Sequence, residues 1–125
     1  MKILESLRHK LFKYAELSGN EKETNKIINR FLEKTNPDVH LKNVGGYGII
    51  AMYKGVEDGR NIMLRADIDG LNIPLMSTDN GQQTTDVFEL SAVSTKCQSS
   101  KYNNQFSHRC GHDGHATILC GLAMR

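Results

Sequence analysis

Residues 108–115 read His108-Arg109-Cys110-Gly111-His112-Asp113-Gly114-His115, and the run Ala116 to Met124 behind them is small and apolar. The pattern is a polar loop opening into a helix, and it follows strand-like runs upstream, which makes the chain α/β. The loop holds three of the five histidines and one of the three cysteines. Thiolate, imidazole and carboxylate donors in so short a run suit a divalent transition metal. In an extended segment residues two apart face the same side, so Cys110 and His112 are the candidate ligands, with Gly111 leaving room for a turn. Asp113 stands beside them, where a carboxylate can accept the free N–H of a ligating imidazole and fix its tautomer. It is also close enough to cap the helix, whose buried face is expected to be Ile118, Leu119 and Leu122. Two ligands fall short of the roughly four donors zinc takes. A purely structural zinc site would have to draw on His108 and His115. The plain alternative is a solvated polar loop with a small buried cysteine.

Outward from this motif, Ile3, Leu7, Leu11 and Tyr14 recur at helical spacing and predict a first helix. Ser18-Gly19-Asn20-Glu21 is a capping-box pattern ahead of Ile27, Ile28, Phe31 and Leu32, a second helix that Asn36-Pro37 stops. Gly45-Gly46 marks a turn into a strand over Tyr47 to Tyr53. Glu57-Asp58-Gly59 marks a turn into a neighbouring strand over Asn61 to Ala66. The glycines at 45, 46 and 48 lack the strand-then-helix context of a phosphate loop. Asp67 and Asp69 fall at the carboxyl end of the second strand, where sites form in open α/β sheets, and their spacing would point both carboxylates one way if the strand continued. A simple turn at Asp69-Gly70 is the competing reading. Residues 76–106, rich in Ser, Thr, Asn and Gln, predict an exposed loop with a short ordered piece at Val87 to Val93.

Composition narrows the function classes. The apolar share of 38% allows one modest core in 125 residues. Sixteen basic and fourteen acidic residues are interspersed with no basic block, so the net charge of +2 gives no argument for nucleic acid. No window approaches a membrane span and the start lacks an apolar leader, so the expectation is a cytoplasmic chain with no membrane partner. Cys97, Cys110 and Cys120 form an odd set without framework spacing, which fits reduced thiols.

Two stretches then carry a resemblance. Leu64-Arg65-Ala66-Asp67-Ile68-Asp69-Gly70-Leu71 with Pro74 behind it, followed by His108-x-Cys110-Gly111-His112-Asp113-Gly114-His115, resembles the amidohydrolase branch of the co-catalytic metallopeptidases. That branch includes N-acyl-amino-acid amidohydrolases, hippurate hydrolases and auxin-conjugate hydrolases. Leu7-Arg8-His9-Lys10-Leu11, Glu16-Leu17-Ser18 and Glu21-x-x-Thr24 resemble the family's opening helix, turn and second helix, in collinear order. The family usually has His where Phe12 stands, Pro where Ala15 stands and Ala where Arg109 stands. The segment between Pro74 and His108 is longer than is usual there.

The resemblance implies the N-terminal part of a zinc-peptidase-like three-layer α/β/α catalytic domain, truncated within residues 1–125 and without a complete second domain. It implies Cys110 and His112 as metal ligands, and Asp67, Asp69, Asp113 and His115 as residues that support or shape the site. The cofactor would be a divalent metal: Zn, Mn, Co or Ni. The reaction implied is hydrolysis of the amide bond of an N-acyl amino acid or small peptide, by a complete enzyme that could be a homodimer. Family members place the general-base glutamate and further ligands downstream, and no Glu follows Glu89 here, so no catalytic residue is expected within this chain. The alternative is an inactive truncated product, or a metal-binding or interaction module.

Overall fold

The computed structural model describes residues 2–72 and 106–124. The expected loop at 76–106, its ordered piece at Val87 to Val93, Pro74 and Cys97 lie outside the described residues, apart from the last residue of the loop, Phe106. In chain order the elements are α1 (Lys2–Lys13), α2 (Lys22–Glu33), β1 (Val39–Val44), β2 (Gly48–Met52), β3 (Leu71–Asn72), β4 (Phe106–Ser107) and α3 (His112–Leu122). Helices and small antiparallel sheets combine into an α/β arrangement.

α1 forms where the spacing predicts it. Its buried side chains are Leu7 and Leu11, while Glu5 in the first turn and Lys10 and Lys13 in the last complement the helix dipole. α2 buries Ile28, Phe31 and Leu32 against α1. The expected capping box does not form: Glu21 is the N-cap residue and makes no side-chain cap bond. Glu16 does the capping from outside the helix, its Oε2 accepting the N–H groups of Glu23 and Thr24, both at 2.9 Å. A carboxylate is a stronger acceptor than a hydroxyl and is favoured at the positive end of the dipole, so the more distant group wins.

β1 and β2 form an antiparallel hairpin on α2, with Leu41 opposite Ile50 and Val39 opposite Met52. The sequence reading anticipated β2 and its glycine turn but not β1. In β1 the side chains facing α2 are polar: His40 Nε2 donates to Asn29 Oδ1 at 2.8 Å, and Lys42 pairs with Glu33. Asn29 in turn donates to Asn25, and Asn25 to the Tyr47 carbonyl, so a hydrogen-bonded chain ties α2 to the hairpin. The opposite face carries Val39, Leu41, Ile50 and Met52, all exposed among the described residues.

Two expectations are corrected. No strand forms over Asn61 to Ala66, although Gly70 makes a single bridge to Leu17 farther on. Ile62 and Met63 are almost wholly exposed. A strand exists only through ladder bonds to a neighbour, and among the described residues none runs beside this segment. The expected face of α3 is also mostly turned outward, Leu119 alone of its three residues being half-buried. Ala116, Thr117 and Cys120 are buried with Ala123 just beyond, while Ile118 and Leu122 are exposed. α3 packs on α1, not on a sheet, and α1 fills the interface with Leu4, Leu7 and Leu11, leaving room opposite for small side chains only. A Cβ on Gly121 would stand 3.0 Å from Leu4 Cδ1, which shows how close the two helices come.

The Glu16 cap gives a direct test. Glu16→Ala should lower unfolding free energy by about 1 kcal/mol, the usual magnitude for a lost N-terminal cap. The urea midpoint would report it, with the m-value unchanged.

Candidate metal centre

Gly111 opens the site. Its φ of 85° lies in the left-handed region that glycine adopts without strain, and it reverses the chain between Cys110 and the first residue of α3, His112. Its N–H bonds to the His108 carbonyl at 2.9 Å, closing a turn, and its own carbonyl accepts Gly114 and His115. Cys110 and His112 therefore do not meet along an extended segment, as the spacing suggested. They meet because the chain turns at Gly111 into a helix.

They meet at Asp69. His112 Nδ1 lies 2.9 Å from the Asp69 carbonyl oxygen and 3.0 Å from its carboxylate Oδ1. Cys110 Sγ lies 3.9 Å from the same carbonyl. Both neighbours of His112 Nδ1 are acceptors only, so Nδ1 carries the proton in the neutral ring and Nε2 keeps its lone pair. Both residues are half-buried and so remain open to solvent. The expected tautomer-fixing carboxylate is thus Asp69, not Asp113. Neighbouring positions on a helix point about 100° apart, so Asp113 cannot turn back to His112.

Asp69 is held by the chain around Gly70. The Gly70 N–H donates to the Glu16 carbonyl at 2.6 Å, and Leu71 and Asn72 pair with Ser107 and Phe106. A Cβ on Gly70 would come 3.1 Å from Ala15 Cβ and 3.3 Å from the Ser107 carbonyl, so only glycine passes freely between these segments. The same Glu16 that caps α2 therefore anchors the segment that orients His112.

The other sequence candidates are placed differently. Asp113 is 2% exposed, does not cap α3, and has Arg8 Nε of α1 at 3.2 Å from its Oδ2. Asp67 pairs with Arg65 at 2.8 Å on the surface. His115, one turn along α3, is exposed, its ring centroid 6.1 Å from that of His112. His108 is 3% exposed and neither ring nitrogen has a hydrogen-bond partner among the described residues. Burial pushes its pKa below the ordinary histidine value, against the opposing pull of Asp113 and Asp69. Among the described residues no group of three or more His, Cys, Asp or Glu is placed to hold a metal ion. Cys110 Sγ and His112 Nδ1 approach one carbonyl oxygen, that of Asp69, whose carboxylate also backs the imidazole. Arg8 and Glu16 were not singled out as site residues from the sequence; each contacts a partner far away along the chain, Arg8 at Asp113 and Glu16 at Gly70.

No protein-family model and no solved structure matches the chain. Curated proteins do. The chain is 37% identical over 123 residues to the N-acetylcysteine deacetylase of Bacillus subtilis, covering 95% of this chain and 27% of that protein. It is 30% identical over 115 residues to the hippurate hydrolase of Campylobacter jejuni, covering 92% and 25%. It is also 30% identical over 118 residues to thermostable carboxypeptidase 1 of Saccharolobus solfataricus, covering 94% and 25%. The chain spans about a quarter of the length of these relatives. No helix among the described residues is long and apolar enough to cross a membrane.

The second described cysteine behaves differently from Cys110. Burial in the α1–α3 interface pushes the Cys120 thiol up to about 11 from an ordinary 9.0. The folded chain keeps a proton there that the unfolded chain releases, so this contribution is whole below pH 9 and is lost as pH rises toward 11. Melting temperature should fall across that window, and the fall should be shallower in Cys120→Ala.

Proposed function

The chain belongs to the amidohydrolase branch of the co-catalytic metallopeptidases, whose N-terminal part it matches, and we propose that it supplies the first two protein ligands, Cys110 and His112, of a divalent-metal site for amide hydrolysis. The observation that carries this reading is the double contact of His112 Nδ1 with Asp69, which leaves Nε2 as a free donor, while the Cys110 thiol lies at the same Asp69 carbonyl. A carboxylate behind a ligating imidazole raises its basicity and fixes its orientation. The donor set fits the metal class: thiolate and imidazole together accept zinc, manganese, cobalt or nickel according to supply. When bound, such an ion polarises a carbonyl and lowers the pKa of a coordinated water.

Within this chain the roles are those of holding and aiming. Cys110 and His112 hold the ion, Asp69 keeps the His112 proton on Nδ1, and Gly70 with Glu16 keeps Asp69 in place. Asp113 supports the helix that carries His112, and His115, exposed one turn further on, is available to substrate. Asp67, exposed and paired with Arg65, shapes the rim. The substrate class is an N-acyl amino acid or small peptide, in keeping with relatives described as a deacetylase of N-acetylcysteine and a hydrolase of hippurate. The proton-transferring glutamate would come from outside residues 1–125, because no Glu follows Glu89. The place of work would be the cytoplasm, and the complete enzyme could be a homodimer. A second reading is a metal-binding module without turnover, and it draws on the fact that among the described residues no group of three or more donors is placed to hold an ion.

Two expectations follow. Cys110→Ser combined with His112→Ala should abolish bound divalent metal, measured by elemental analysis after dialysis; stoichiometric metal in that double variant would refute the ligand assignment. The 125-residue chain with added manganese or zinc should hydrolyse N-acetyl and N-benzoyl amino acids negligibly. Chelator-sensitive turnover lost on Cys110→Ser would show that the site is completed within this chain.

A further inference from the structure

Asp113 is buried to 2% exposure, and a carboxylate in that setting needs a partner, because a buried charge left unpaired is strongly destabilising. Its side chain meets Arg8 Nε at 3.2 Å, a group from α1 that lies 105 residues earlier in the sequence. Its position in the first turn of α3 adds the favourable end of the helix dipole. The Asp113 carbonyl accepts the Thr117 hydroxyl at 2.6 Å, which reinforces the same turn from within.

The rest of the α1–α3 contact is apolar: Leu4, Leu7 and Leu11 against Ala116, Cys120 and Ala123. Packing of this kind is non-directional and, with small side chains on one partner, does little to fix the rotation of the helix about its own axis. The Arg8–Asp113 pair is directional. Successive helical side chains diverge by about 100°, so turning Asp113 toward α1 swings His112 round the axis, and it is there that His112 meets Asp69.

We propose that Arg8 is a positioning residue for the metal site: by holding Asp113 it sets the rotation of α3 and so aims His112 Nδ1 at Asp69, which leaves Nε2 free for an ion. The proposal rests on the reading of Cys110 and His112 as ligands. It extends that reading to a residue on another helix that touches neither the metal nor the substrate.

The test uses the whole 125-residue chain and two readouts. The first is Co2+ affinity, followed by the thiolate-to-cobalt absorption band. The second is the nitrogen-15 NMR signature of the His112 tautomer in the metal-free chain. Arg8→Met, which keeps the stem and removes the charge, should weaken Co2+ binding roughly 10- to 100-fold, the range seen when groups supporting metal ligands are lost. It should also shift His112 from a fixed Nδ1–H form to a tautomer mixture. Arg8→Lys should restore most of both, because the contact is a single N–H to one oxygen and needs the charge more than a two-pronged fork. If Arg8→Met lowers the melting temperature but leaves Co2+ affinity and the tautomer unchanged, the residue is merely structural and the proposal is overturned. If Arg8→Met does not fold, Arg8→Gln, which removes the charge but keeps a polar side chain, is read in the same way: weakened Co2+ binding with a mixed tautomer supports the proposal, and parental values of both in a folded chain overturn it. Failure of the ligand assignment would show separately, as parental Co2+ binding unaffected by Cys110→Ser, while the metal-free tautomer still judges Arg8.

Discussion

The contact between His112 Nδ1 and Asp69 is the constraint on which the site depends. It joins two regions 43 residues apart in sequence, a segment without regular secondary structure and the first residue of a helix. Because both oxygens of Asp69 near that nitrogen can only accept, a single geometric fact settles the proton position and the direction of the free donor. The Cys110 thiol lies at the same carbonyl, so one backbone oxygen serves as the meeting point for both proposed ligands.

What fixes this contact from either side is backbone fit more than charge. On one side Gly70 threads between Ala15 and Ser107 and bonds to Glu16, a passage closed to any larger residue without displacement. On the other side Gly111 takes the left-handed turn that lets α3 begin at His112. The core beneath is built by α1, with Leu7 and Leu11 nearly fully buried; each contributes about 1.5–3 kcal/mol by leaving water. The exposed ion pairs of Glu23 with Lys26 and Glu33 with Lys42 add little by comparison, since water screens both partners. Apolar packing therefore supplies the energy, and the Glu16 and Arg8 contacts supply direction.

The sequence carried its local features well. Both N-terminal helices, the glycine turn into β2 and the start of α3 beside the Cys-Gly-His run were legible because each is set by spacing within a few residues. What was not legible depends on partners far away. A helix cap from Glu16 outcompetes the local Ser18-to-Glu21 pattern, and Asp69 outcompetes the adjacent Asp113. The buried face of α3 was misjudged by choosing the large side chains Ile118 and Leu122, when the tightness of α1 admits only alanine, threonine and cysteine there. β1 escaped notice because its inward side chains, His40 and Lys42, are polar and satisfied by α2. The run Asn61 to Ala66 has the composition of a strand, yet composition cannot supply the neighbour a ladder requires.

Zinc-edge X-ray absorption on the zinc-loaded chain tests the central claim most directly, because it reports the atoms around the ion rather than a consequence of binding. Convergence of Cys110 and His112 predicts one sulfur shell at about 2.3 Å together with imidazole nitrogen at about 2.0–2.1 Å. A shell of oxygen and nitrogen without sulfur would contradict the account, because the ion would then lie away from the point where the turn at Gly111 brings thiol and imidazole together.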